Sequence, residues 1–257
     1  MAHPTLACAP WAMGTEFETE AVFDDDYLYF YEQLLPDERS DRETEVIWSL
    51  GGLTEGTRVL DLACGHGRLS NRLAARGAKV TGLDVTERFV EVARADAQQL
   101  GLSVEYVHGD LRQIPWTDTF DVVVNFFTAF GYFDDDENRR VLDGVHRSLR
   151  PGGRLLLELN HGPTLMAGFL PSVVTRRGDD AMVDEHTYDA STGRVHTVRT
   201  ILRGGRTRAT RFSTRLFAFP ELRDWLVQAG FSHVEGFAGD GGPLTVESRR
   251  LVLLAAR

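Results

Sequence analysis

Short apolar strands alternate with amphipathic helices along the middle of the chain, and this alternation limits the fold more than any other feature. An apolar run at residues 58–63 ends in a glycine-rich turn, and a helical segment follows directly. Similar runs recur further along, so the predicted strands cover residues 58–63, 79–84, 104–108, 120–126 and 154–159. Strands that alternate with helices indicate βαβ units with right-handed crossovers. The sequence therefore predicts an α/β fold, with a mostly parallel sheet and helices on both faces.

The pattern changes after residue 170. Residues 173–219 contain alternating runs rich in Thr, Val and Arg, broken by short turn sequences, which predicts an antiparallel meander of three or four strands. A helix at residues 220–229 and strands near residues 233–237 and 249–255 follow, and these two strands complete a seven-stranded sheet. The first 50 residues are predicted to form amphipathic helices.

This pattern divides the chain into four parts. An N-terminal helical cap covers residues 1–50, and the core covers residues 51–170. An antiparallel insertion after the fifth strand covers residues 171–219, and residues 220–257 end the core with its last helix and two strands. We expect the insertion to cover the substrate pocket or to form a contact between two copies of the chain, so a homodimer is an open alternative.

Composition excludes several classes of protein. The 257 residues are 42% hydrophobic and 26% charged, which rules out a disordered chain, a collagen and a coiled coil. The net charge of −10 disfavours a nucleic-acid partner, because such partners select a basic surface. The two cysteines, Cys8 and Cys64, form no disulfide framework, and the sequence predicts neither a membrane span nor a signal peptide. These features predict a cytoplasmic protein with no membrane partner.

Charge is unevenly distributed along the chain. Residues 16–45 carry 12 acidic residues and two arginines, whereas residues 194–215 carry seven arginines and no acid. Opposite charges attract at short range, so the two segments could pair within one chain or between neighbours. The alternative is that both segments are solvated surfaces.

The turn after the first strand carries the clearest chemical signal. In residues 59–67, VLDLACGHG, a strand ends, two glycines make a tight turn and a helix begins. Glycine has no Cβ, so a ligand can approach this backbone closely, and the helix N-terminus offers unpaired N–H groups. Asp84 ends the second strand, 19 residues after Gly65, where a carboxylate binds the hydroxyls of a ribose. No third glycine follows Gly67 in the spacing of a dinucleotide site, so a nicotinamide-dependent oxidoreductase is the weaker alternative.

Five segments in order resemble the motif series of class I S-adenosylmethionine-dependent methyltransferases. They read VLDLACGHG, VTGLDVT, VHGDLRQIP, FDVVVNFFTAFGYF and LRPGGRLLLELN. The chain is also similar to small-molecule methyltransferases of actinobacterial antibiotic pathways, through NFFTAFGYF and the C-terminal GDGGPLTVESRRLVLLAAR. The resemblance implies a Rossmann-like fold and methyl transfer from S-adenosyl-L-methionine, with S-adenosyl-L-homocysteine as the product. The acceptor is then a hydroxyl or an amine of a small secondary metabolite, and the alternative is an amine of a peptide or an amino acid.

The resemblance also implies roles for single residues in binding the cofactor. The implied cofactor-binding residues are Asp61, Ala63, Gly65, Gly67, Asp84, Val85, Asp110, Leu111, Asn125, Tyr31 and Arg42. Asp61 and the two glycines hold the methionine moiety, Asp84 binds the ribose diol, and Asp110 meets the adenine amino group. Tyr31 and Arg42 close over the cofactor, with Arg42 pairing the methionine carboxylate. The alternative for the acids is a structural capping role.

A second group of residues concerns the substrate and the chemical step. The expected pocket residues are the aromatic Tyr27, Tyr31, Phe126 and Phe127, with the polar Asn125 and His161. His161 follows the fifth strand, whose end faces the cofactor crevice, so it is the candidate general base for a hydroxyl acceptor. An amine acceptor needs only alignment and exclusion of water, and the alternative for His161 is a loop histidine or a hydrogen-bond donor to the substrate. No metal site is predicted.

Overall fold

The computed structural model describes residues 17–257, so Cys8 and the first part of the predicted helical cap lie outside the described residues. The helices in this range are α1 (Thr19–Val22), α2 (Asp25–Glu32), α3 (Asp37–Gly51), α4 (Arg68–Ala75), α5 (Glu87–Gln99), α6 (Asp135–Ser148), α7 (Gly162–Ala167) and α8 (Phe219–Gln228). The strands are β1 (Arg58–Leu62), β2 (Lys79–Asp84), β3 (Glu105–His108), β4 (Phe120–Asn125), β5 (Leu149–Asn160), β6 (Ser172–Arg177), β7 (Asp180–Asp189), β8 (Arg194–Arg203), β9 (Arg206–Arg215), β10 (Ser232–Ala238) and β11 (Arg250–Ala256). Among these helices, none is both long and apolar enough to cross a membrane.

Seven of the strands form one sheet in the order β10-β11-β5-β4-β1-β2-β3. Strands β1 to β5 pair in parallel, whereas β11 runs antiparallel to both β5 and β10. This is the Rossmann-like, mostly parallel sheet that the sequence predicts, completed by its last two strands. Because β1, β2 and β4 run in the same direction, their carboxyl ends meet at one edge of the sheet.

The central strands are apolar on both faces because helices cover both faces. Val59 of β1 belongs to one buried cluster with Ile47 of α3. The next residue, Leu60, belongs to a second cluster with Leu142 of α6 and Leu226 of α8. Successive side chains of a strand point to opposite faces, so a strand buried on both sides reads as a continuous apolar run.

Two local features differ from the sequence prediction. The sequence predicts a break at residues 151–153 and a strand from residue 154, but β5 begins at Leu149 and includes this Pro-Gly-Gly segment. Gly152 has a φ of 80°, and the pairing of β5 with β4 shifts its register beside this segment, so the strand takes up the irregularity as a bulge. The short helix α7 was not predicted, because its six residues are too few to show a helical period.

The insertion forms a separate sheet in the order β6-β7-β8-β9, and every neighbouring pair is antiparallel. This confirms the predicted meander, with four strands. Burial alternates along β8, so one face of this sheet is turned inward. Phe30 of α2 packs against that inner face, in a buried cluster with Met182 and Ile201.

Ion pairs join the insertion to the acidic helix α2. Arg208 pairs with both Asp24 and Asp26, and Arg203 Nη1 lies 2.8 Å from Asp26 Oδ1. The predicted pairing between the acidic segment and the arginine-rich segment therefore occurs within one chain.

Candidate active site

A cavity of about 500 Å³ opens at the carboxyl ends of β1, β2 and β4. We call the turns after β1, β2 and β3 its floor, which comprises residues 61–69, 83–86 and 109–111. We call α2 and the inner face of the sheet β6–β9 its roof. A cavity of this size is typical of sites for small molecules and cofactors.

The two glycines of the turn after β1 have different structural roles. Gly65 has a φ of 58°, and no atom lies within 4 Å of the position that a Cβ would take. Gly67 has a φ of 80°, but a Cβ there would overlap Tyr106 Oη and lie 2.9 Å from Ala93 Cβ. Gly65 and Ala63 line the cavity, whereas Gly67 lets the turn pack closely against β3 and α5 and does not line it.

Asp84 fixes the shape of this turn. Its Oδ2 accepts a hydrogen bond from the Gly65 N–H at 2.8 Å, and its Oδ1 accepts one from the Thr86 N–H at 2.8 Å. Burial raises the pKa of the Asp84 carboxyl. Asp84 and Val85 also line the cavity at the end of β2. A carboxylate oxygen accepts more than one hydrogen bond, so holding the turn leaves acceptor capacity for a ligand.

Asp61 is the second buried carboxyl of the floor. Ser70 Oγ donates a hydrogen bond to Asp61 Oδ2 at 2.5 Å. Burial raises the pKa of Asp61 from 3.8 to about 6, because the charged form is poorly solvated there. Asp61 lines the cavity, so a cationic group of a ligand beside it would offset the cost of the buried charge.

Asp110 and Leu111 line the floor after β3. Arg112 holds the Asp110 carboxylate at both oxygens, since Nη2 donates to Oδ2 at 2.6 Å and the backbone N–H donates to Oδ1 at 2.8 Å. Burial acts to raise the pKa of Asp110, but these hydrogen bonds outweigh it and the pKa is lowered. Asp110 is therefore an ionised acceptor at neutral pH.

Two tyrosines of α2 form part of the roof. The rings of Tyr27 and Tyr31 stack with their centroids 4.0 Å apart, and Tyr31 meets the ring of Phe127 edge-on at 6.0 Å. Burial raises the pKa of Tyr27, so its hydroxyl stays protonated. Both tyrosines line the cavity together with Phe126 and Phe127, which brings all four predicted aromatic residues to one space.

Arg68 lines the floor of the cavity and Arg42 does not line the cavity, which corrects the prediction for Arg42. Arg42 lies on the exposed face of α3, because the following residue, Glu43, faces inward. Arg68 Nη1 lies 2.5 Å from Glu43 Oε2 and donates to Ser40 Oγ at 3.2 Å. The Arg68 side chain is 10% exposed, and its buried Nη2 has no hydrogen-bond partner among residues 17–257. Arg68 is the first residue of α4, directly after the glycine turn, and this position could have identified it from the sequence.

Asn125 and His161 do not line the cavity, which contradicts the expectation that they are its polar groups. Asn125 Nδ2 donates to the Leu62 carbonyl at 2.7 Å, so this side chain ties β4 to β1. His161 is 6% exposed, and its Nδ1 lies 2.9 Å from Thr164 Oγ1 at the start of α7. Side chains alternate along β5, so Asn160 lines the cavity and His161 faces away. His161 is therefore not placed to act as a general base.

The roof adds polar groups that the sequence analysis did not identify. Arg199 donates from Nε and Nη2 to the two oxygens of Asp184, both at 2.8 Å, and Nη2 also donates to Tyr31 Oη at 3.1 Å. Beside this pair, His186 Nδ1 lies 3.0 Å from Thr197 Oγ1. All five side chains line the cavity. The alternation of side chains along β7 and β8 could have predicted these residues, since every second residue of a strand faces the same side of the sheet.

The end of β4 places an aromatic ring in the cavity wall. Phe127 has a φ of 67°, a left-handed conformation that costs about 1–2 kcal/mol for a residue with a side chain. The Phe127 N–H donates to Glu158 Oε2 at 2.8 Å, and Glu158 is paired with Arg250. The guanidinium carbons of Arg68 and Arg250 lie 5.4 Å and 5.8 Å from the centre of the Phe127 ring. These contacts hold the strained residue in place.

Several known proteins are similar to this chain in sequence or in fold. Residues 59–153 match the family model described as a methyltransferase domain. A cypemycin N-terminal methyltransferase from Streptomyces sp is 30% identical over 219 residues, which cover 79% of this chain and 84% of that protein. An S-adenosylmethionine-dependent methyltransferase from Clostridium acetobutylicum has a similar structure, with a TM-score of 0.76 at 16% identity over 90% of this chain and 97% of that one. A sugar N-methyltransferase from Streptoalloteichus sp gives a TM-score of 0.71 at 17% identity over 95% of this chain and 97% of that one.

The fold and the cavity at its strand ends define a Rossmann-like methyltransferase. The chain belongs to the family of S-adenosylmethionine-dependent methyltransferases, and its cofactor is S-adenosyl-L-methionine. This membership removes the oxidoreductase alternative.

Proposed function

We propose that this enzyme methylates the nitrogen of a small amine that lies between the floor and the roof. The observation that carries the proposal is the continuity of one cavity, from Gly65 and Asp84 on the floor to Asp184 and His186 in the roof. A cofactor on the floor and an acceptor under the roof would share this space. Direct displacement at a methyl group requires such proximity.

Four side chains of the floor would hold the cofactor. The buried Nη2 of Arg68 lacks a partner among residues 17–257, and the methionine carboxylate would supply one, so the residues present fit this cofactor. Asp61 would pair with the ammonium group of the methionine moiety. Asp84 would accept hydrogen bonds from the ribose hydroxyls, and Asp110 would accept one from the adenine amino group.

The comparisons with known proteins favour nitrogen over oxygen as the acceptor atom. The similar proteins include enzymes named for N-methylation, one at the N-terminus of cypemycin and one on a sugar.

The cavity wall also indicates the kind of acceptor. Tyr27, Tyr31, Phe127 and Tyr132 present aromatic surface, which suits an amine with an apolar or ring-shaped body. When bound, S-adenosyl-L-methionine supplies an activated methyl group. The protein would then contribute alignment of the nitrogen and exclusion of water, and the aromatic wall of the cavity serves both.

Cofactor binding can be tested at Asp84. Asp84→Ala should weaken the binding of S-adenosyl-L-homocysteine by about tenfold or more, because a charge-assisted hydrogen bond contributes about 1.5–3 kcal/mol. Isothermal calorimetry measures the affinity, and circular dichroism checks that the turn survives the loss of its acceptor. Asp121→Ala, on β4 outside the cavity, is the matched control and should bind as the wild type does. Unchanged affinity in Asp84→Ala would remove the ribose assignment.

The acceptor atom can be tested with matched pairs of small molecules. Each pair has one carbon skeleton and carries either an amino or a hydroxyl group, and the enzyme is supplied with S-adenosyl-L-methionine. We expect N-methylated products, identified by mass spectrometry and NMR, from amines with an apolar or ring-shaped body. Methylation of the hydroxyl compounds alone would overturn the proposal. A role in antibiotic biosynthesis, a cytoplasmic location and a homodimer stay predictions.

A further inference from the structure

We infer that His186 accepts the proton that the acceptor nitrogen loses, and that Thr197 is the positioning residue that orients its ring. The inference rests on the proposed function, because it names the group of the roof that takes part in that reaction. His66 also lines the cavity, but it stands in the turn of the floor that would hold the cofactor, and the predicted His161 faces away from the cavity.

The geometry of the roof fixes one nitrogen of His186 and leaves the other available. His186 and Thr197 are directly opposite each other in the pairing of β7 with β8, and Nδ1 lies 3.0 Å from Thr197 Oγ1. The half-buried ring lines the cavity, and Nε2 forms no hydrogen bond with any of residues 17–257. In the tautomer whose Nδ1–H donates to Thr197, Nε2 carries the free lone pair.

The surroundings keep this ring neutral. Burial lowers the pKa of His186, Asp184 on the same strand raises it, and Arg199 on β8 lowers it. Asp184 and Arg199 form a bidentate pair with each other, so their opposite effects largely offset. Arg199 Nη2 also donates a hydrogen bond to the Tyr31 hydroxyl. Burial therefore decides the outcome, and the ring is unprotonated and able to accept a proton at neutral pH.

The proton transfer balances without a further reactant. An aliphatic amine is mostly an ammonium ion at neutral pH, and this form has no lone pair for attack. The N–H bond breaks, its proton passes to His186 Nε2, and its electron pair stays on nitrogen. That pair forms the bond to the methyl carbon while the carbon–sulfur bond breaks with its pair on sulfur. Desolvation in the aromatic cavity lowers the pKa of the bound ammonium and favours the transfer.

The test compares the complete wild-type enzyme with variants at His186. The substrate is an amine that the wild type methylates. His186→Asn should lower kcat by about 10²-fold or more and remove the acid limb of the pH–rate profile. The affinity for S-adenosyl-L-homocysteine, measured by calorimetry, should stay unchanged because the cofactor residues lie on the floor. His186→Gln is a second replacement, and circular dichroism compares the folding of both. Thr197→Val should lower kcat less and shift the acid limb, and Thr197→Ser should restore both.

Two other histidines provide controls. His196 lies on the opposite face of the same sheet and His161 faces away from the cavity, so His196→Asn and His161→Asn should keep the acid limb. An NMR titration of the wild type adds a readout without turnover, in which the His186 ring should titrate below pH 6.5.

Three results would overturn the inference. The first is a kcat within tenfold of the wild type in His186→Asn, with the acid limb kept. The second is an NMR titration in which the His186 ring is protonated at neutral pH. Either result leaves the proposed function standing if the wild type methylates the amine. The third is a wild type that methylates no amine, which would overturn the proposed function and the inference with it.

Discussion

The floor and the roof of the cavity are held together by different interactions. On the floor, backbone N–H groups and buried carboxyls set the shape, as in the bonds from Gly65 and Thr86 to Asp84. In the roof, ion pairs and rings join α2 to the sheet β6–β9 across a long stretch of sequence, as between Asp26 and Arg208, which are 182 residues apart. The floor therefore depends mainly on backbone conformation, whereas the roof depends on contacts between side chains. A methyltransferase built this way can keep its cofactor site constant while its acceptor site varies.

The largest expected effect lies on the floor, at Gly67. Gly67→Ala would press a methyl group against the Tyr106 hydroxyl, which Asn71 holds at 2.8 Å, and would strain a φ of 80°. We expect the free energy of unfolding to fall by about 3 kcal/mol, from overpacking and backbone strain together. Urea unfolding measures this loss.

The matched control for Gly67 is Gly101, which has a φ of 66° but no atom within 4 Å of the place where a Cβ would lie. Gly101→Ala should cost only about 1 kcal/mol, because backbone strain acts there without a collision. Equal losses at the two glycines would show that close packing under the turn contributes nothing.

The second effect is a pH dependence that arises from Asp61 on the floor. Asp61 has a pKa of about 6 in the folded protein against 3.8 as its usual value, so the folded state holds this proton more tightly. The contribution of Asp61 to the free energy of unfolding should therefore be largest below pH 4. It should then fall by about 3 kcal/mol as the pH rises to about 6, at about 1.4 kcal/mol per pKa unit.

Denaturant unfolding between pH 4 and pH 7 measures this slope, with Asp61→Asn as the comparison. The variant should lack the contribution of Asp61, because its amide does not titrate. Saturating S-adenosyl-L-homocysteine should reduce the slope in the wild type, since its ammonium group would stabilise the ionised carboxylate. Identical slopes in the wild type and the variant would contradict the assignment.

The third effect distinguishes two arginines. Arg68→Lys keeps a positive charge beside Glu43 but removes the second guanidinium nitrogen, so we expect about tenfold weaker binding of S-adenosyl-L-homocysteine. Arg42→Lys should bind as the wild type does, because Arg42 is exposed on α3. Calorimetry on both variants decides the matter, and a loss of affinity in Arg42→Lys alone would restore the prediction from sequence.

The smallest effect lies in the roof. Asp26→Asn removes the charge that Arg203 and Arg208 share, and partly exposed pairs of this kind contribute about 0.5–1 kcal/mol. Thermal unfolding should show this loss at low salt and a smaller one at high salt, because salt screens the pair. Cofactor affinity should not change. A loss as large as that in Gly67→Ala would remove the contrast between roof and floor.

The floor could be predicted from the sequence because its residues stand at strand ends. Asp61, Gly65, Asp84 and Asp110 each close a strand or begin the turn after it, and parallel strands bring these ends to one edge. Strand order explains why these residues meet, whereas the choice of Asp61 and Asp110 came from the resemblance of the motif series to class I methyltransferases.

The other residues of the site could not be predicted from the order of strands, because their places depend on the direction in which each side chain points. The prediction for Arg42 was wrong because α3 turns the neighbouring Glu43 inward and leaves Arg42 exposed. The prediction for His161 was wrong by one position, since Asn160 is the residue that faces the cavity. The roof required contacts such as the one from Arg199 to Tyr31, which are 168 residues apart. No local pattern encodes which residues of a helix meet which residues of a distant sheet.

The insertion leaves the core and returns to it at almost the same point. The Gly162 N–H donates to the Phe217 carbonyl at 3.0 Å, and His161 and Phe217 form a parallel bridge. A Cβ on Gly162 would lie 2.7 Å from the Phe217 oxygen, so glycine is required at this junction. A segment whose two ends are so close can be replaced by another of different length at little entropic cost to the rest of the chain. Residues 162–217, together with the helix α2 that packs on them, are therefore a natural unit for transplantation, by recombination or by engineering, between enzymes that share the same core.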